Sequence, residues 1–126
     1  MAECSGEAAR VVMCNCLECQ RRTGSVFGVG AYFPRTQVRV TGAASKYQRS
    51  ADSGRTLRFN FCGECGTTLY WELDAYPDLL GLAVGTFGDA GFPQPAAAIW
   101  TQSKHEWVVL PQAMDQHAKS ASKART

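Results

Sequence analysis

The residues of this chain best equipped for chemistry are its thiols. Of six cysteines, five fall into two clusters, Cys14-Asn15-Cys16-Leu17-Glu18-Cys19 and Cys62-Gly63-Glu64-Cys65-Gly66, with Cys4 outside both. A C-x-C-x-x-C run crowds three sulfurs into one turn, where disulfide geometry disfavours pairing them with each other while all three can reach one ion as thiolates. In a C-x-x-C-G turn both sulfurs point to one side, and the glycine accepts the positive φ that so tight a turn often needs. Zinc suits both patterns. Three thiolates leave a tetrahedral zinc one open position, which is the arrangement of a catalytic site rather than a scaffold. A small thiol placed there would be deprotonated near neutral pH, and a thiolate is the form that attacks a carbonyl carbon. Cys4, ten positions before the first cluster, reads as a small buried hydrophobe.

An even cysteine count in a short chain also suits a disulfide framework, but only in an oxidising compartment. Residues 1–10 are polar, without the apolar segment or small-residue cleavage site of a secretory signal, which points to a cytoplasmic protein with reduced thiols. No apolar stretch approaches the length of a membrane span. Apolar residues make up 45% and charged ones 19% of 126 residues, the composition of one globular domain whose modest core a metal cross-link would strengthen. The formal charge of +2, from 13 basic and 11 acidic residues spread along the chain, is too small to argue for nucleic acid. Small anions are another matter. Arg21, Arg22, Arg35, Arg39, Arg49, Arg55 and Arg58 outnumber the lysines in the body of the chain, and arginine suits bidentate binding of carboxylates.

The elements that must position these groups are short strands. Arg10 to Met13 leads into the first cluster, Val26 to Phe33 is an apolar run closed by Pro34, and Gln37 to Val40 alternates. Arg55 to Phe61 puts Leu57, Phe59 and Phe61 on one face and runs straight into Cys62. Thr67 to Leu73 leaves the knuckle as its antiparallel partner, giving a hairpin with the metal turn at its tip. Leu79 to Phe87 alternates large with small residues, which predicts that its glycine side lies close under another layer. Gly88 to Ala98, with Pro93 and Pro95, predicts a loop; Ile99-Trp100 and Glu106 to Leu110 are short apolar pieces with core or rim tryptophans. One helix is expected, Glu18 to Arg22, stopped by Gly24. Residues 1–110 make the zinc-binding domain, and 111–126 carry too few apolar residues to pack, reading as a disordered tail.

Taken in order, Cys14 to Ser25, Asp52-Ser53-Gly54-Arg55, Phe61 to Glu72, Val84-Gly85-Thr86-Phe87, Ile99-Trp100 and Trp107-Val108 resemble the glutathione-dependent formaldehyde-activating enzyme family, which includes centromere protein V. The resemblance runs over about residues 8 to 110, and the combination is specific although each motif alone is weak. It implies an all-β, Mss4-like fold. It also implies an active-site zinc on C-x-C-x-x-C, here Cys14, Cys16 and Cys19, and a separate structural zinc half supplied by C-x-x-C, here Cys62 and Cys65. The implied reaction is addition of glutathione sulfur to formaldehyde, giving S-hydroxymethylglutathione, and its reverse, a carbon–sulfur lyase step. Family members open with a strand carrying G-x-C-x-C-G-x-V that completes the structural site. Here Met1 to Glu7 resembles the stretch after that strand. Cys62 and Cys65 are therefore expected to lack their partners: either the true start lies upstream, or Cys4, a water or a second chain completes the site, or the structural zinc has been lost.

Glutathione carries two carboxylates and one ammonium. Arg21 and Arg22, directly after the zinc loop, are the first candidates to hold carboxylates, and Ser53, Gly54 and Arg55 form a second, turn-like site. The plain alternative for each arginine is a solvated surface residue. His105, near Trp100 and Trp107, is a candidate proton relay, and Glu72 a candidate to orient a zinc ligand. A different class of function competes, that of a non-catalytic zinc module binding a protein or nucleic acid. Against it stand the three-ligand first cluster and the lack of a basic stripe with interleaved aromatics. A C-x-x-C redox protein is a third reading, disfavoured because strands rather than a βα turn flank the motif.

Overall fold

In a computed structural model, residues 1–51 and 54–120 are described. They form β1 (Ala2–Cys4), β2 (Arg10–Cys14), α1 (Leu17–Thr23), β3 (Gly28–Pro34), β4 (Val38–Val40), β5 (Ser45–Ser50), β6 (Thr56–Phe61), β7 (Thr68–Leu73), β8 (Leu79–Ala83), β9 (Ala97–Ile99) and β10 (Asp115–Gln116). The fold is all-β. A small antiparallel sheet pairs β1 with β4, and the other strands make one sheet in the order β10-β9-β2-β3-β8-β7-β6-β5. It is antiparallel from β2 to β5, while β9 lies parallel to both β2 and β10.

Alternation gives this sheet two different faces. One carries the core of Val11, Ala31, Phe33, Leu80 and Leu82, against which Ala2, Cys4 and Val38 of the small sheet and Phe87 and Phe92 pack. On the other, one row of paired positions crosses six strands, from Arg10 through Tyr32, Gly81, Trp71 and Phe59 to Tyr47. Trp71 fills that row sideways. Its indole lies so close over Gly81 that a Cβ there would collide with Nε1, and a Cβ on Gly30 would meet Cζ2 at 2.7 Å. The expected small side of β8 thus lies under a side chain of the neighbouring strand.

Several expectations need correction. The run from Leu79 stops being a strand at Ala83, and Val84–Phe87 turn as a 3-10 helix closed by Gly88 at φ 61°. β5 has no apolar face to announce it; its residues are almost all exposed, and its pairing with β6 makes it a strand. β9 falls in the expected loop because its two alanines, almost completely buried, need space rather than bulk. Past Pro111, Met114 is buried against Met13 and Ala98, and β10 pairs with β9, so this stretch up to residue 120 packs on the sheet edge. The hairpin of β6 and β7 with Cys62 and Cys65 at its tip is present. No helix of the described residues is long and apolar enough to cross a membrane.

Candidate metal centre

Cys14 ends β2, with its register partner Gly28 in β3 and Ile99 in β9. The chain then turns into α1, whose N-cap is Cys16, its sulfur accepting the amide hydrogen of Cys19 at 3.3 Å. A cap sulfur and the residue three further on face the same side of a first helical turn. Strand end and helix start therefore bring three sulfurs together, all within 4.8 Å of one another. Gly24 closes the helix at φ 70°, donating its amide to the Gln20 carbonyl.

What fixes this loop is Asn15, a buried polar residue between two thiols. Its Nδ2 donates to the Ile99 carbonyl at 3.0 Å, while its own carbonyl accepts from Gln20 Nε2 at 3.0 Å and Ser103 Oγ at 2.8 Å. Gln20 Nε2 also reaches the Ser103 carbonyl at 3.1 Å. The thiol loop, α1 and the 3-10 turn Thr101–Ser103 are thereby tied at one point. That turn begins at Trp100, held at φ 56°, the one non-glycine residue with positive φ in the described backbone. Such a conformation costs on the order of 1–3 kcal/mol and persists where the surroundings over-determine it.

The thiols perturb one another. Hydrogen bonding from Cys14 and then from Cys19 holds Cys16 down to about 2, against the opposing effect of burial. Hydrogen bonding to Cys16 and then to Cys19 pushes Cys14 far above the ordinary thiol range, with burial adding to the rise. Three soft donors that already share protons around one point release them when a cation takes the protons' place. The cluster can hold a metal ion, and its all-sulfur donor set fits zinc.

The sulfurs open into a cavity of about 810 Å³ on the Trp71 face of the sheet. Arg22 lies across its floor, with its guanidinium 5.0 Å from the Trp71 ring and 5.2 Å from the Phe59 ring. The Nε of Arg22 is buried without a hydrogen-bond partner, and Nη2 would sit 2.9 Å from a Cβ on Gly28. Arg49 of β5 approaches the same Phe59 ring at 5.6 Å and pairs with Glu18 at 3.8 Å. Two guanidinium groups thus converge on one aromatic ring in the cavity that holds the thiols.

The other expected residues separate. Arg21 lines the cavity at its exposed edge, its side chain 73% exposed and paired with Glu18 at 2.8 Å. Arg55 lines the cavity from the turn closed by hydrogen bonds from Ala51 to Arg55 and from Gly54 to Ala51, with Gly54 at φ 85°. Ser53 lies outside the described residues. Glu72 alternates to the opposite face and pairs with Arg35 at 3.2 Å and Arg58 at 3.8 Å. His105 is outside the cavity lining, hydrogen-bonded to Gln20 Oε1 at 3.2 Å with its ring edge on Trp107. Cys4 packs on the core of the other face, and burial pushes its thiol up.

Cys62 and Cys65 line a separate cavity. The described residues bring no third sulfur, imidazole or carboxylate into a cluster with them. Cys65 is exposed, and its sulfur hydrogen-bonds the Thr67 hydroxyl at 3.1 Å, which lowers its pKa. Sequence reasoning missed Arg49, Tyr32 and Asn15. The alternation Gly28, Gly30, Tyr32 could have placed Tyr32 on the face of Gly28, the register partner of Cys14, but nothing in the sequence pairs Arg49 with the site before β5 is known.

A thiol trio at a strand end, opening onto an aromatic and arginine-lined floor, meets a matching result from comparison with known proteins. The profile of the family described as glutathione-dependent formaldehyde-activating enzyme matches residues 1–103. The chain belongs to that family. A protein of Colletotrichum graminicola, provisionally named for the same activity, is 32% identical over 113 residues, covering 87% of this chain and 59% of its own length. Another of Fusarium vanettenii, named alike, is 27% identical over 114 residues, 88% of this chain and 61% of its own. The chain therefore spans about three-fifths of the length of these relatives.

Proposed function

We propose that this domain is a zinc-dependent carbon–sulfur lyase that makes and reverses the adduct of glutathione with formaldehyde, S-hydroxymethylglutathione. The observation that carries the reading is the opening of the Cys14, Cys16 and Cys19 cluster into a cavity with Arg22 and Arg49 on its aromatic floor. Zinc bound by these three cysteines would supply a thiol with the means to remain a thiolate near neutral pH. The chain's own residues do the rest. Arg22 and Arg49 anchor the glutathione carboxylates, Arg55 lines the same cavity, and Ser53 and Gly54, its neighbours in sequence, are further candidate contacts. Arg21, 73% exposed at the cavity edge where Arg49 is only 17% exposed, is left to solvent and to Glu18. The indole of Trp71 and the ring of Phe59 exclude water from beneath the peptide, and Asn15 keeps the thiol loop in place. Holding both reactants in one cavity turns a bimolecular addition into an effectively unimolecular one.

Zinc-loaded protein added to glutathione and formaldehyde should speed exchange between free thiol and adduct, read by NMR exchange spectroscopy. Arg22→Met and Arg49→Met should each weaken glutathione binding about 10- to 100-fold, since charged hydrogen bonds contribute about 1.5–3 kcal/mol. Both should leave 2-mercaptoethanol, which has no carboxylate, unaffected, and Arg21→Ala should change neither. An unchanged exchange rate with fully zinc-loaded protein would favour the non-catalytic zinc module over the enzyme.

A further inference from the structure

Tyr32 stands in this cavity with a hydroxyl whose hydrogen bonding is half used. Its Oη accepts a long hydrogen bond, 3.4 Å, from Trp71 Nε1. An indole N–H can only donate, so the direction of that bond is fixed and the phenol keeps its own proton. No acceptor for that proton occurs among the described residues, and the ring stands edge-on to Trp71 with centroids 6.1 Å apart. The side chain also leans the right way. Cε2 of Tyr32 lies 3.4 Å from where a Cβ of Gly30 would be, so the ring tilts along β3 toward Gly28, the register partner of Cys14. Between the phenol and the sulfurs the Trp71 indole lies over Gly30 and the Arg22 guanidinium over Gly28, and Tyr32 lines the same cavity as the three thiols above them. Cys19, Cys14 and Arg22 all act electrostatically on the phenol, and desolvation, the largest influence on it, pushes it up to about 12, so the proton stays in place across the physiological range.

Resting on the lyase reading above, we propose that Tyr32 is a catalytic residue of the carbon–sulfur step, giving its phenolic proton to the aldehyde oxygen as the thiolate adds. A sulfur lone pair forms the C–S bond, the C=O π pair moves onto oxygen, and the phenol protonates that oxygen before regaining a proton from solvent. In reverse the adduct's hydroxyl proton returns to Tyr32 oxygen, the C=O bond reforms and the C–S pair leaves on sulfur. A positioned donor at a developing oxyanion typically contributes about 10²–10³ in rate.

Tyr32→Phe keeps the ring and removes only the donor. The expected result is a loss of about 10²–10³ in the exchange rate at saturating substrates, with zinc content and glutathione affinity within about twofold of the parent. A Tyr32→Phe protein that exchanges at the parent rate overturns the role of Tyr32 alone. Loss of glutathione affinity or zinc along with rate overturns it too, showing a structural part. If the parent itself, fully zinc-loaded, fails to accelerate exchange while still binding glutathione, the lyase reading falls and takes this role with it. Should Tyr32→Phe fold poorly, 3-fluorotyrosine at position 32 replaces it. That residue keeps the hydroxyl and makes it a stronger acid, so the rate should rise at unchanged thiol affinity, and an unchanged rate overturns the proposal.

Discussion

Cys14, Cys16 and Cys19 sit where a strand, a helix and a 3-10 turn meet around Asn15, whereas Cys62 and Cys65 sit on a turn held by Cys62 and Thr67, and Gly66 and Cys62, through single backbone hydrogen bonds of 2.8 Å. Local sequence makes the two clusters look alike, since each is a run of closely spaced thiols. Their surroundings differ. Around the first, carbonyls and amides from three parts of the chain are satisfied by side chains, and the sulfurs face a cavity of about 810 Å³. Around the second, one sulfur is exposed and its partner is a surface threonine. A ligand cluster becomes a site when the backbone carrying it has nowhere else to go, because a metal then pays little to order it.

The largest expected difference between the clusters is in metal content. Cys16→Ser and Cys19→Ser should each reduce zinc at the first cluster to near zero, measured by mass spectrometry of the purified protein, and abolish any acceleration of thiol–aldehyde exchange. Serine keeps the size of the side chain and removes the soft donor, so a folded but metal-poor protein is the expected product. Full zinc occupancy in both variants would place the ion elsewhere and dissolve the contrast.

Asn15→Ala tests whether surroundings, rather than sulfurs, make the first site. The substitution removes the bond to Ile99 and leaves a void in a fully buried position, which should cost about 1–3 kcal/mol in chemical unfolding. Zinc affinity should fall about 10- to 100-fold with all three thiols intact, as happens when a residue supporting a metal ligand is removed. Competition with a chromophoric chelator measures this. Equal affinity for the variant and the parent would mean that the thiols alone suffice.

What the sequence discloses and what it withholds divide along the same line. The thiol spacings name both clusters, and alternation in Leu57, Phe59 and Phe61 leads to the hairpin because one buried face leaves a period of two in the chain. Gly24 marks the end of α1 because a positive φ favours glycine. The withheld parts are those held by partners far away in sequence. β5 is almost all exposed and is a strand only because β6 is next to it. Arg49 reaches the aromatic floor of the cavity, and Arg21 stays largely exposed at its edge, through the placing of that edge strand and through Glu18, neither of which leaves a local pattern. Asn15 looks like a spacer between two ligands until Ile99 and Ser103, more than eighty residues on, close around it.

The smallest effect is expected at the knuckle. Cys65→Ser alters an exposed side chain whose partner, the Thr67 hydroxyl, can equally bond a serine. Surface changes of this kind usually stay within about 0.5 kcal/mol, so the melting temperature should move little. Zinc at the first cluster and the exchange rate should be unchanged, because Cys62 and Cys65 line a different cavity. Two sulfurs alone make half of a structural zinc site, and Cys4 gives no help from where it packs, against the core on the opposite face from the Trp71 row. In titrations of these 126 residues one zinc should therefore bind tightly and a second weakly, with Cys65→Ser removing only the weak step. A loss of tightly bound metal and several degrees of melting temperature in Cys65→Ser would show instead that the knuckle is completed by donors outside the described residues. The contrast between the clusters would then be one of exposure, not of how firmly each holds its ion.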